Sequence, residues 1–167
     1  MMIRIAGVEP ESIVDGPGYR FAIFVQGCPH GCPECHNPET HDFEGGKLVD
    51  TSEIIAHLGK NPLVRGLTLS GGEPMLKAEE LCEIAEAAKA RGMNVWCYTG
   101  YTLEQLDEAA DPAQQRLLSL IDVLVDGQYI AAKRSLALHF CGSTNQRLID
   151  LKKTRESGAV VLYDPQW

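Results

Sequence analysis

The sequence contains no run of basic residues, and none of its apolar stretches approaches the ~20 residues that a membrane-spanning helix needs. The net charge is −8, which argues against a nucleic-acid partner because such proteins present a basic surface. Residues 1–6 are too few for the apolar part of a secretory signal, and acidic residues follow soon afterwards. These absences together indicate a cytoplasmic protein.

The sequence also shows no linker and no internal repeat, so we expect its 167 residues to form one domain over positions 1–167. Hydrophobic residues make up 44% of the chain and charged residues 23%, which is the composition of an ordinary globular protein. A chain of this length buries roughly 70% of its unfolded surface. It therefore has enough core to fold without disulfide bonds.

Three of the six cysteines lie together in the sequence. Cys28, Cys32 and Cys35 form a C-x3-C-x2-C motif directly after the apolar run at 21–25. In a reducing compartment such a group indicates metal binding or redox catalysis rather than disulfide bonds. Three thiolates on one loop can hold an iron–sulfur cluster, and they leave one iron of a four-iron cluster without a protein ligand.

The missing fourth ligand leaves two interpretations of this motif. Cys82 falls in a helical stripe and Cys97 in a strand, where we expect small buried side chains, and Cys141 is distant in sequence. Zinc is the alternative metal, with one of three nearby histidines as its fourth ligand: His30, His36 or His41. Structural zinc sites usually add a second cysteine pair or a pair of spaced histidines, and neither accompanies this motif.

Apolar runs alternate with helical patterns along the chain. Strands are predicted at residues 21–26, 64–70, 94–98 and 122–125, with weaker candidates at 147–151 and 159–163. The clearest helical pattern covers residues 76–91. Such alternation is typical of βα units and a parallel sheet, and a closed eight-unit barrel needs ~250 residues. We therefore predict an α/β fold: an open, partial (β/α) barrel of four to six βα units with a mostly parallel sheet.

Glycine-rich and polar segments follow the ends of the predicted strands. They lie at residues 27–28, 70–74, 99–100 and 126–127. Because the carboxyl ends of parallel strands gather on one side of a sheet, we expect these four segments to converge around one mouth. In the second segment, Gly71 and Gly72 would let a ligand approach the backbone, while Glu73 would accept a hydrogen bond from an amino group.

The cysteine motif, taken with Gly-Gly-Glu-Pro at 71–74, resembles the radical S-adenosylmethionine superfamily. Residues 14–20 and 35–40 resemble the flanking segments of glycyl-radical-enzyme activases. Residues 142–150 are similar to a segment typical of activases that serve the anaerobic (class III) ribonucleoside-triphosphate reductase. The resemblance extends over nearly the whole chain and implies the partial-barrel fold of the superfamily.

This resemblance implies a radical mechanism with two cofactors. Cys28, Cys32 and Cys35 would hold a 4Fe-4S cluster and act in catalysis through it, with S-adenosyl-L-methionine on the fourth iron. An electron donor such as flavodoxin would reduce the cluster. The 5′-deoxyadenosyl radical from the cleaved cofactor would then take a hydrogen atom from a glycine of the reductase.

The resemblance also implies which residues bind S-adenosylmethionine. Two groups are expected: Gly71, Gly72, Glu73 and Pro74 at the methionine end, and Glu34, Cys35 and His36 at the adenine. Many members of the superfamily carry an aromatic residue at the position of Glu34, so its contact with the adenine differs here. Thr99 and Asp126 are further candidates, and both also suit ordinary turns.

Two other functions remain open at this point. The first keeps the radical chemistry but changes its target, to another glycyl radical enzyme or to a small molecule, as in a deazaguanine synthase. The second is a non-catalytic iron–sulfur or zinc protein. The small size of the chain favours a protein substrate, because an open mouth would admit a partner's glycine loop.

Overall fold

A computed structural model of the chain describes residues 1–164 and shows one seven-stranded sheet with helices. The strands are β1 (Met2–Ser12), β2 (Arg20–Val25), β3 (Lys47–Asp50), β4 (Gly66–Gly71), β5 (Asn94–Tyr98), β6 (Val123–Asp126) and β7 (Arg147–Asp150). The helices are α1 (Thr51–His57), α2 (Ala78–Ala90), α3 (Leu103–Ala109), α4 (Pro112–Leu120) and α5 (Leu151–Ser157). None of these helices is long and apolar enough to cross a membrane.

The sheet is open and has a parallel centre. Its strand order is β3-β1-β2-β4-β5-β6-β7, and β2, β4, β5 and β6 run parallel to one another. The outer strands β1, β3 and β7 pair antiparallel to their neighbours. The predicted open, partial (β/α) barrel is therefore confirmed, with four parallel strands at its centre and antiparallel strands at both edges.

Alternation along the central strands separates two packing faces. Phe21, Ile23 and Val25 of β2 point into the main apolar core, where α1, α2 and α4 cover the sheet. The opposite face holds a smaller apolar cluster built on Trp96, Val123 and Val125. The helix-covered face forms the main core that stabilises the sheet, and the opposite face carries the candidate functional site described below.

Side-chain caps mark the starts of α1 and α3. The Asp50 side chain accepts a hydrogen bond from Ser52 N at the start of α1, and Thr102 opens α3 with a capping box that Gln105 completes. Helix α2 starts at Ala78 rather than at residue 76, because Pro74–Lys77 forms a short 3-10 turn before it. That turn carries the proline and glutamate of the Gly-Gly-Glu-Pro segment into the site.

Three elements differ from the predictions. The sequence did not predict β1, in which Ile3 and Ile5 are buried but most of the other residues, including Pro10, are exposed, or the four-residue β3. Residues 159–163 are not a strand, because only Leu162 forms a bridge, to Ile149 of β7. These segments depend on partners distant in sequence, so their own residues carry little signal.

Candidate active site

The four polar segments meet at one end of the parallel strands, as predicted. Gly72 N donates to Val25 O over 2.8 Å, and Glu73 N donates to Gly27 O over 2.8 Å, so the end of β2 and the Gly-Gly-Glu-Pro segment are joined directly. Thr99 Oγ1 donates to Glu73 Oε2 at 2.8 Å, which adds the end of β5. The end of β6 joins through Gly127 N, which donates to Tyr101 O at 3.0 Å.

The three motif cysteines lie on a loop that closes on itself. In this cysteine loop, residues 27–41, Gly27 N donates to Thr40 O at 2.7 Å and Cys28 N donates to His41 O at 3.2 Å. The Gln26 side chain braces the same closure, donating to Glu39 O at 3.0 Å and to Asp42 O at 2.6 Å. The two backbone hydrogen bonds at Gly27 and Cys28 join the two ends of the loop, and we call this pair of contacts the loop neck.

The donor atoms of this loop suit an iron–sulfur cluster. Cys28, Cys32 and Cys35 are half-buried free thiols, and Cys82 and Cys97 are buried apart from them, as predicted. Burial raises the pKa of the Cys28 and Cys32 thiols, and neighbouring cysteines raise it further. Iron would stabilise all three as thiolates.

One zinc ion requires its sulfur ligands to lie closer together than a four-iron cluster does. Ligand sulfurs bonded to one zinc ion at about 2.3 Å must almost touch, whereas each cysteine of a cubane cluster bonds its own iron. Within residues 1–164, no three His, Cys, Asp or Glu side chains are grouped to hold a metal ion. His30, one of the candidate zinc ligands, has both ring nitrogens in hydrogen bonds to other side chains. The donor set fits three cluster irons better than one zinc ion.

Glu73 is fully buried and receives four hydrogen bonds. His30 Nε2 (2.6 Å) and Gly100 N (2.8 Å) donate to Oε1, while Met75 N (3.0 Å) and Thr99 Oγ1 (2.8 Å) donate to Oε2. An ionised carboxylate offers about four acceptor positions. A direct contact between this carboxylate and an amino group would therefore have to displace one of these donors.

The two glycines before Glu73 are required by the packing of the backbone. A Cβ atom on Gly71 would lie 2.5 Å from Val25 N, and one on Gly72 would lie 2.3 Å from Gly27 O. Gly71 also has a φ of +98°, which side chains disfavour. Close approach to β2 thus accounts for both glycines, whether or not a ligand also lies against them.

A cavity of about 560 Å³ opens beside the cysteine loop on the face opposite the main core. Among the predicted site residues, Cys35 and His36 line it, whereas Glu34 is exposed with a φ of +58° and does not. The remaining lining includes Ser70 of the segment at 70–74 and Gln146 of the segment at 142–150, together with residues that the sequence did not indicate: Tyr98, Tyr129 and Cys141. Position 98 could have been found, because strand alternation places it on the face opposite Cys97.

Asp126 and Thr99 are both buried, and both have partners within the chain. Asp126 Oδ2 accepts from Leu103 N at 2.9 Å, and Asp126 Oδ1 accepts from Arg147 Nε at 3.0 Å. Arg147 also donates to the Glu104 carboxylate, and these hydrogen bonds raise the pKa of its guanidinium. Asp126 therefore joins the end of β6 to the start of β7 and to the start of α3.

Comparisons with known proteins assign the chain to a family. A 4Fe-4S single cluster domain family matches residues 14–149. The anaerobic ribonucleoside-triphosphate reductase-activating protein of Vibrio cholerae serotype O1 is 39% identical over 145 residues, which cover 82% of this chain and 91% of that protein. The protein of the same name from Enterobacteria phage T4 is 36% identical over 84% of this chain and 90% of its own.

Among solved structures, QueE from Escherichia coli aligns with a TM-score of 0.47 and 19% identity, over 61% of this chain and 54% of its own. The assignment rests on the sequence relatives alone. Because they match most of the chain at well above 30% identity, the chain belongs to the family of anaerobic ribonucleoside-triphosphate reductase-activating proteins, as its motifs predicted.

Proposed function

We propose that the chain is a radical S-adenosylmethionine activase that generates a glycyl radical on anaerobic ribonucleoside-triphosphate reductase. The family carries this proposal, since its named members activate that reductase and a 4Fe-4S domain matches residues 14–149. The free thiols of Cys28, Cys32 and Cys35 beside a cavity of about 560 Å³ support it. The proposed compartment is the cytoplasm, where thiols stay reduced.

In this proposal the chain holds and orients two cofactors. Cys28, Cys32 and Cys35 would hold three irons of the 4Fe-4S cluster, and S-adenosylmethionine would be the ligand of the fourth iron. When bound and reduced, the cluster supplies one electron to the sulfonium, which yields methionine and a 5′-deoxyadenosyl radical. A protein such as flavodoxin is the proposed source of that electron.

Of the proposed cofactor contacts, Cys35 and His36 line the cavity beside the cluster. Residues 71–74 directly follow Ser70, which also lines it, and their proposed role is to hold the methionine end of the cofactor. The proposed role of His36, together with Glu34 and Cys35, is to contact the adenine. His36 packs against Tyr129 with ring centres 4.8 Å apart, so its imidazole has a fixed orientation beside the cavity. Because Thr99 and Asp126 are both buried, their proposed role is to position neighbouring backbone and side chains of the site.

The chain must also exclude every hydrogen donor except the target glycine. A primary carbon radical attacks almost any nearby C–H bond, so the target has to be held in contact with it. Val14 lines the same cavity and is 76% exposed, which places an apolar side chain at the mouth. A glycine loop of the reductase that enters there completes the site.

The test is anaerobic reconstitution with iron and sulfide, followed by reduction in the presence of S-adenosylmethionine. We expect 5′-deoxyadenosine, and a glycyl radical signal by electron paramagnetic resonance when the reductase is added. Cys32→Ala should abolish both products, while the matched variant Cys82→Ala, in the buried stripe of α2, should retain them. Absence of 5′-deoxyadenosine from the wild-type protein would rule out the radical chemistry. A glycyl radical on a different enzyme only would change the partner.

A further inference from the structure

His30 lies between two cluster cysteines, yet its side chain points to other segments of the site. Its Nε2 atom is 2.6 Å from Glu73 Oε1, and its Nδ1 atom is 3.1 Å from Gln128 Nε2. The His30 side chain is only 8% exposed and that of Glu73 is 0% exposed. One imidazole thus connects the cysteine loop to the ends of β4 and β6.

The two partners determine how the imidazole is held. A carboxylate accepts hydrogen bonds and an amide nitrogen donates them, so Nε2 carries the hydrogen and Nδ1 accepts. Tyr101 packs edge-on against the ring, with centroids 4.6 Å apart. Gly100 leaves space for the ring, because a Cβ atom there would lie 2.4 Å from His30 Cδ2. The contacts with Glu73, Gln128, Tyr101 and Gly100 therefore fix the orientation of the imidazole ring together.

The glutamate partner links His30 to the Gly-Gly-Glu-Pro segment. Besides the imidazole, Glu73 holds Met75 N at 3.0 Å, Gly100 N at 2.8 Å and the Thr99 hydroxyl at 2.8 Å. Its carboxylate is thus the common acceptor for the ends of β4 and β5. The cysteine loop cannot shift relative to these strand ends without breaking the buried hydrogen bond between His30 and Glu73.

The glutamine partner links His30 to the segment at 142–150. Asn145 Nδ2 donates to Gln128 O at 2.8 Å, and Gln146 Nε2 donates to Gly127 O at 3.1 Å. Gln146 also accepts from Gly142 N at 2.8 Å. The segment that resembles the reductase activases is therefore connected to the cysteine loop through Gln128 and His30.

We propose that His30 is a positioning residue that sets the placement of the cluster relative to the methionine end of S-adenosylmethionine. This inference rests on the proposed function, because it presumes both cofactors. A displacement of about 1 Å between reacting groups can cost ~100-fold in rate. The hydrogen bonds of His30 to Glu73 and Gln128 hold the cysteine loop within that tolerance.

The experiment compares His30→Ala and His30→Gln with wild type and with His57→Ala, a control on the last turn of α1. A glutamine side chain can place an N–H donor close to the imidazole Nε2 position and so restore the bond to Glu73. Three quantities are measured anaerobically: iron per chain, the Kd for S-adenosylmethionine, and the change that this cofactor causes in the electron paramagnetic resonance signal of the reduced cluster.

We expect His30→Ala to keep wild-type iron content, to raise the Kd about 10- to 100-fold, and to lose the cofactor-induced change in the signal. His30→Gln should recover most of both effects, and His57→Ala should match wild type. Wild-type Kd and signal in His30→Ala would overturn the inference, as would equal iron loss in His30→Ala and His30→Gln. Failure of the wild-type protein itself to bind S-adenosylmethionine would instead overturn the proposed function.

Discussion

The guanidinium carbon of Arg20 lies 5.5 Å from the centre of the Trp96 ring, on the face of the sheet that carries the site. Arg20 is 1% exposed, and its N–H groups donate to Thr68 Oγ1 at 2.7 Å, Leu67 O at 3.0 Å and Pro17 O at 3.2 Å. Burial lowers its pKa to about 10, so the side chain remains charged at neutral pH. Because one of these bonds reaches Pro17 O, Arg20 is a buried tether for residues 13–19.

Arg20→Met should therefore destabilise the chain, although it removes a buried charge. Three acceptors lose their donor, each at a cost of about 1 kcal/mol or more, and removal of the desolvated charge offsets part of this. We expect a net loss of about 2–3 kcal/mol in the free energy of unfolding, measured by urea denaturation. Arg91→Met, whose arginine is exposed, should change stability by less than about 0.5 kcal/mol. Equal effects of the two substitutions would contradict the tether.

Gly100→Ala should displace the imidazole of His30. The added methyl group would lie 2.4 Å from His30 Cδ2, so the ring has to move away from Glu73. We expect weaker S-adenosylmethionine binding, with iron content retained, measured on the reconstituted protein. Gly7→Ala is the matched control, because nothing lies within 4 Å of a Cβ atom there. An unchanged Kd in Gly100→Ala would show that the close contact has no effect on the cofactor.

Asp126→Asn should cost more stability than a comparable change at the surface. Asp126 is 1% exposed and pairs with Arg147, whereas Asp107 and Arg155 form a pair with side chains 39% and 46% exposed. Breaking a pair with a buried member costs about 2–4 kcal/mol, and breaking an exposed pair costs about 0–1 kcal/mol. Thermal unfolding of Asp126→Asn and Asp107→Asn measures the difference. Similar melting temperatures would argue against a structural role for Asp126.

Gln26→Met should loosen the loop neck. The amide of Gln26 donates to Glu39 O and Asp42 O, and methionine fills similar space without a donor. We expect the cluster to be lost to an iron chelator several-fold faster than in wild type, while far-ultraviolet circular dichroism is unchanged. Cluster loss at the wild-type rate would mean that the backbone contacts alone hold the neck.

The sequence predicted the central sheet well because its signals are local. Residues 94–98 were predicted as a strand and form β5 with the same bounds, and the capping box at Thr102 and Gln105 is observed. Strands β1 and β3 could not be found in this way, since β1 is stabilised by β2 and by the distant β3. The order of the strands, and the turns that join them, depend on pairing between segments that are distant in sequence, so a local pattern does not predict them.

The site shows the same division between local and distant information. Spacing identified Cys28, Cys32 and Cys35 and the convergence of the strand ends. It did not reveal that Glu73 is buried under four donors, or that His30 is one of them. His30 is 43 residues from Glu73 in the sequence, and Thr99 and Gly100 are 26 and 27 residues from it. A side chain such as Tyr129 reaches the cavity from a loop that carries no recognisable motif.

The loop neck separates the metal chemistry from the stability of the fold. None of the three motif cysteines belongs to the main core or to the Trp96 cluster, and the loop is closed by its own backbone pairs at Gly27 and Cys28. We therefore expect the sheet to fold before any iron is bound and to stay folded if oxygen removes the cluster. Loss of the cluster in air would then be reversed by iron and sulfide, without synthesis of a new chain.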